Sequence, residues 1–128
     1  MQALDYLNNG KVLLWADTYS IIKARQPVTD CFAMVTDYQE ITVIQRTDEV
    51  DENNVEERED GYVILTFDMV LPFELTGFLA EVAAVLAEAE IAIFAISGFS
   101  TDHVLVKEAD LEEAVAALER LGAVIVRL

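Results

Sequence analysis

Three consecutive stretches decide the fold: Tyr62-Val63-Ile64-Leu65-Thr66-Phe67, then Leu71-Pro72-Phe73-Glu74-Leu75-Thr76-Gly77, then Phe78 through Ala89. The first is rich in β-branched and aromatic residues and reads as a strand. The second carries Pro, Thr and Gly, the residues of a turn that opens a helix. In the third, apolar residues recur at Leu75, Phe78, Leu79, Val82, Leu86 and Ala89. Those steps of three, one, three, four and three are helical, with Glu81 and Glu88 on the wet side. A strand that turns into a helix in this way leaves backbone N–H groups unsatisfied at the helix start. They can face an anion such as a carboxylate.

Downstream the pattern continues. Ile91-Ala92-Ile93-Phe94-Ala95-Ile96-Ser97 reads as a strand, Gly98 to Asp102 as a turn, and His103-Val104-Leu105-Val106-Lys107 as the returning strand. Asp110 stands three residues before Glu113, the spacing of a capping box. Leu111, Ala114, Val115, Leu118 and Leu121 then form one apolar stripe. Arg120 suits the negative end of that helix and Gly122 the position after it. Ala123-Val124-Ile125-Val126 closes as a strand. The predicted order over 61–128 is βαββαβ, a ferredoxin-like α+β arrangement with an antiparallel sheet and both helices on one face. Both alternating sets in Tyr62–Phe67 are largely apolar, and Ile91–Ile96 is the same. A sheet covered on one face only should alternate, so the second face is expected to be covered as well, by the first half or by another subunit.

Upstream, Thr47 to Asp60 holds eight acids against one base, Arg58. Such a run repels itself and reads as an exposed loop. It divides the chain into 1–60, with the acidic loop at 47–60, and 61–128. The first part is read as mostly strand: Tyr19–Ala24, Cys31–Thr36 and Glu40–Gln45, with Gln26 to Asp30 as a loop. Asn8-Asn9-Gly10 is a turn signal, followed by apolar Val12-Leu13-Leu14-Trp15.

The chain has 128 residues and a formal net charge of −16, with 8 Lys and Arg against 24 Asp and Glu. Phosphate backbones and anionic membranes need clustered cations, so neither nucleic acid nor a membrane is an expected partner. The mean hydropathy is +0.33, yet no window approaches the ~18 apolar residues of a membrane span. No signal peptide is evident, and one cysteine, Cys31, cannot form an internal disulfide. Cytoplasm is the expected location. The acidic run lacks the Gly turn and ligand spacing of a calcium loop, so no metal is expected.

Residues 61–128 resemble the ACT domain, a small regulatory fold that binds amino acids. The resemblance rests on Phe73-Glu74-Leu75-Thr76-Gly77-Phe78-Leu79-Ala80, on Leu86 to Ser97, and on Thr101 to Leu111. It is closest to the tandem ACT group related to aspartate kinase regulatory domains and arginine sensors. The position before Ile91 is usually Gly in that family; here it is Glu90. The first half resembles a shortened ACT unit whose helices are small or missing, and two such units would pack through their sheets.

His103, the sole histidine, neighbours Asp102, but adjacent strand residues point to opposite faces and do not pair naturally. Ser97, Ser100 and Thr101 have no His in a triad-like relation, so no catalytic residue and no cofactor are assigned and the chain is not read as an enzyme. What the resemblance implies is a zwitterion site. Backbone N–H groups around Thr76, Gly77 and Phe78 would hold an α-carboxylate, and Asp102 or Glu74 an α-ammonium. Ser97, Gly98, Phe99 and Ser100 would complete the wall, with Phe73, Leu75 and Asp68 beside the turn. ACT sites usually lie between units, which implies a homodimer. The expected function is an amino acid-binding regulatory or sensor protein without a catalytic domain; the alternative is a ligand-free interaction or assembly module.

Overall fold

The strand that begins the βαββαβ run is longer than its apolar part. In a computed structural model, which describes residues 2–72, 75 and 77–128, it extends from Val55 to Asp68. In chain order the strands are β1 (Lys11–Leu14), β2 (Tyr19–Ala24), β3 (Ala33–Thr36), β4 (Ile41–Arg46), β5 (Val55–Asp68), β6 (Phe94–Ser97), β7 (Asp102–Lys107) and β8 (Val124–Arg127). The helices are α1 (Phe78–Glu88) and α2 (Leu111–Arg120). Two compact units result: the segment up to Ala16 with Val63–Leu128, and Asp17–Tyr62. The boundary read from composition, between 60 and 61, therefore falls inside β5.

The larger unit has the expected α+β order from β5 to β8. Its strands lie side by side as β6, β7, β5, β1 and β8. The N-terminal strand β1 separates β5 from β8. It runs antiparallel to β5, with Val12 opposite Phe67, and parallel to β8, with Val12 opposite Ile125. Val12 and Leu14 are buried there and join the core. That core gathers Val63, Leu65 and Phe67 from β5, Val104 and Val106 from β7, Phe78, Val82 and Leu86 from α1, and Ala114, Ala117 and Leu118 from α2. Ile64 and Leu105, on the opposite face, are also fully buried, as the apolar character of both alternating sets predicts. Phe67 and Phe78 meet edge to face with centroids 5.4 Å apart, which ties β5 to the first turn of α1.

Both helices end in the same way. The Ile91 N–H reaches the Leu86 carbonyl and the Glu90 N–H that of Ala87. After α2, the Ala123 N–H reaches Leu118 and the Gly122 N–H reaches Glu119. This paired closure needs a left-handed residue at the turn. Gly122 supplies it at φ 94, but Glu90 must adopt φ 61 with a side chain. That geometry explains the family's usual glycine, and it turns Ile91 into a buried anchor, so the strand starts only at Phe94. Relief of the left-handed strain should exceed the extra entropy of an unfolded glycine. Glu90→Gly is expected to raise unfolding free energy by about 0.5–1 kcal/mol, read as an increased chemical-denaturation midpoint.

The predicted capping box does not form. A short 3-10 turn, Glu108–Asp110, precedes α2, so Asp110 already has near-helical φ −98 and ψ −2 and its side chain makes no cap hydrogen bond. A cap needs extended backbone at that position to turn its oxygen onto the helix N–H groups.

In the smaller unit the strands lie in the order β3, β4, β2 and the first part of β5. The acidic run is corrected here: it is a loop only as far as Asn54, through the turns Thr47–Glu49 and Glu52–Asn54, and Val55 to Asp60 is strand. Self-repulsion is offset by cations. Lys23 on β2 faces Glu56 and Glu57, Arg25 faces Glu56, and Arg58 is paired with Glu52 and Asp60. A small core forms around Ile22, Ala24 and Val43, with Cys31 packed against it. Burial pushes the Cys31 thiol up, as expected of an inert side chain.

Candidate ligand-binding site

Two turns of the larger unit face each other across a cavity of about 370 Å³. One is the strand-to-helix turn at the start of α1; the other joins β6 to β7. Leu75, Gly77 and Phe78 line the first wall, and Ser97, Gly98, Phe99, Ser100 and Asp102 the second. The structure thus brings together eight of the twelve residues singled out in the sequence. Asp68 is not among the lining residues; it ends β5, exposed, opposite Lys11. Phe73, Glu74 and Thr76 lie outside the described residues. The cavity also takes in Leu71, Pro72, Leu79, Ala80 and Thr101, which the sequence reading left out. Leu71 and Pro72 belong to the same turn, and Leu79 and Ala80 follow from the phase of the helix.

Gly77 sets the first wall. It stands at the helix N-cap with φ 85 and ψ 4, and its carbonyl accepts the Glu81 N–H at 2.8 Å. No side chain among the described residues caps this end. A Cβ added at Gly77 would meet nothing within 4 Å, and Gly77 lines the cavity. The second wall is held by its own bonds. The Gly98 N–H donates to the Thr101 carbonyl at 2.8 Å, and the Ser97 hydroxyl donates to Asp102 Oδ1 at 2.6 Å. The Asp102 carboxylate is therefore oriented by Ser97 while it lines the cavity.

Behind this wall runs a polar chain. Trp15 Nε1 donates to Thr66 Oγ1 at 2.8 Å, and Thr66 Oγ1 lies 2.8 Å from His103 Nδ1. Burial lowers the His103 pKa below 6.5, and the charge of Asp102 opposes that. His103 and Asp102 thus bond to different partners, Thr66 and Ser97, as expected of adjacent strand residues. Among the described residues no group of three or more His, Cys, Asp or Glu could hold a metal ion. No described helix is long and apolar enough to cross a membrane.

This arrangement offers helix-start N–H groups, one oriented carboxylate and an apolar wall. Comparison with known proteins places the chain in a class. The family model for the ACT domain matches residues 57–120, and the chain belongs to the ACT domain family, a family of regulatory units. Its fold is similar to that of a protein from Agrobacterium tumefaciens, at 22% identity and TM-score 0.79, covering 94% of each chain. It is also similar to a Vibrio cholerae protein of unknown function described as a possible transport protein, at 20% identity and TM-score 0.75, covering 91% of this chain and 93% of that one. A third similar structure is the ligand-free regulatory subunit of aspartate kinase from Thermus thermophilus. It shows 12% identity and TM-score 0.64, with 90% of this chain and 98% of that one covered. No curated protein sequence matches the chain.

Proposed function

We propose that this chain is a regulatory sensor that binds a free amino acid in the cavity between the α1 start and the β6–β7 turn. The observation that carries this reading is the pairing of the two walls: Gly77 and the helix start on one side, the oriented Asp102 carboxylate on the other. An α-carboxylate is satisfied by N–H groups at a helix start and an α-ammonium by a carboxylate. Leu71, Leu75, Phe78 and Phe99 make the remaining wall apolar, which favours an uncharged ligand side chain. The chain then acts by binding rather than by catalysis.

Phe99 is 84% exposed and Val70 77%. Apolar side chains this exposed beside a cavity suit coverage by a second copy, and we propose a homodimer whose assembly is linked to ligand occupancy. Light scattering should return twice the 14.2 kDa chain mass; a monomer both with and without ligand would contradict this part. One cysteine fits a reducing compartment, so the cytoplasm is the proposed location.

A thermal-shift screen of the common amino acids tests the reading. A ligand present at about 100 times its dissociation constant adds ~2.7 kcal/mol of stability. Emission of Trp15, bonded to Thr66 behind the second wall, gives an independent readout. The same exposed Phe99 and Val70 favour a second reading, a ligand-free assembly module. A flat screen together with a stable dimer would support that one instead.

A further inference from the structure

Three side chains behind the second wall of the cavity fix the protonation state of one of them. Trp15 Nε1 can only donate, and it donates to Thr66 Oγ1. The Thr66 hydroxyl then has one proton to give, and His103 Nδ1 stands 2.8 Å away as its acceptor. That arrangement requires a neutral imidazole with its proton on Nε2. Protonation at Nδ1 would turn two N–H donors onto one hydroxyl oxygen and take away the acceptor of the hydroxyl proton. Thr66 is only 7% exposed, so losing that acceptor is costly.

The far edge of the same ring reaches the wall. A Cβ built on Gly98 would stand 3.7 Å from His103 Nε2, and Gly98 lines the cavity together with Asp102. The Asp102 charge favours the protonated ring, against burial. Coulomb coupling is mutual. An imidazolium would offset the Asp102 charge assigned to the ligand's ammonium, and a bound ammonium would offset the charge that favours imidazolium. The other surroundings of the ring follow from the strand order. On β5, Asp68 stands two positions beyond Thr66 and shares its face, opposite Lys11 of β1. On β6 the residue opposite His103 is Ile96, and the turn between Ser97 and Asp102 carries no charge. On β7 itself, Lys107 ends the strand. Helix α2 packs with Val104 and Val106, on the other face of β7. Asp102 is the charge that belongs both to the cavity and to the surroundings of the ring.

We propose that His103 is a positioning residue of the amino acid site and that binding there is linked to its proton. The neutral ring supports Gly98 and leaves the Asp102 charge to the ligand; the protonated ring does neither. This rests on the amino acid reading of the cavity. His103 is the sole histidine, so ring nitrogen-15 resonances of the full chain, followed from about pH 8 to about pH 5, report its tautomer and titration directly. That range stays above the isoelectric point near 4.1. The ring should carry its proton on Nε2 at neutral pH. Its titration midpoint should fall by about half a pH unit or more in Asp102→Asn, and likewise in the parent saturated with leucine, methionine or phenylalanine, whichever gives the largest thermal shift. By linkage, calorimetry with that amino acid should show affinity full above the midpoint of the free protein and about threefold or more weaker below it. His103→Asn keeps an acceptor for the Thr66 hydroxyl and cannot titrate, so it should lose this pH dependence at whatever affinity it retains. A proton on Nδ1, a ring that stays neutral throughout, a midpoint unmoved in Asp102→Asn, or the same pH dependence in His103→Asn overturns the inference. An amino acid that binds without moving the midpoint overturns it and leaves the binding reading standing; a protein that binds none of the amino acids ends both.

Discussion

Phe67→Ala is expected to lower unfolding free energy by about 3–5 kcal/mol, the usual cost of truncating a fully buried phenylalanine. Phe67 is 0% exposed, it stands opposite Val12 in the β1–β5 ladder, and its ring meets the edge of Phe78. The cavity left behind would therefore open between the sheet and the first turn of α1. That turn is also the first wall of the proposed site, so ligand affinity should fall along with stability. Phe67→Leu separates the two effects: it refills most of the volume and should restore most of the stability. Denaturant titration checks the first effect, and a loss below about 1 kcal/mol for the alanine variant would contradict the packing described.

Gly77→Val should abolish ligand binding while the protein still folds. A β-branched residue at φ 85 is strained, at a cost on the order of 1–3 kcal/mol. A Cβ at this position meets nothing within 4 Å. Gly77 lines the cavity, so added bulk there would crowd the space in which backbone and ligand are proposed to approach. The expected result is a reduced melting temperature that no longer responds to an amino acid that stabilises the parent. A full ligand response in Gly77→Val would remove the helix start from the site.

Much of this was legible in the sequence because local chemistry and tertiary role agree. The stripe Phe78, Val82 and Leu86 is helical by spacing, and it is the buried face in the structure. The turn at Gly77 was visible because Pro, Thr and Gly are stiff or permissive in ways that few other positions use. The opposite wall was legible less directly. Gly98 through Asp102 reads as a turn from composition, but its position across from Gly77 follows from the ferredoxin-like order and not from any local signal. Other features depended on distant partners. Val12-Leu13-Leu14 carries no mark that it will separate β5 from β8. The acidic segment from Glu56 to Asp60 reads as a loop until Lys23 and Arg25 are placed beside it. The capping box at Asp110 failed because the preceding 3-10 turn had already curled the backbone.

In the proposed complex an amino acid bridges the α1 start and Asp102. Calorimetry on the parent and on Asp102→Asn, with whichever amino acid gives the largest thermal shift, tests it most directly. The substitution keeps the side-chain shape and an acceptor for the Ser97 hydroxyl but removes the charge. Binding should weaken by ~1.5–3 kcal/mol, the worth of a hydrogen bond to a charged group, with the melting temperature of the free protein nearly unchanged. Unchanged affinity in Asp102→Asn, or a parent protein that no amino acid stabilises, would contradict it.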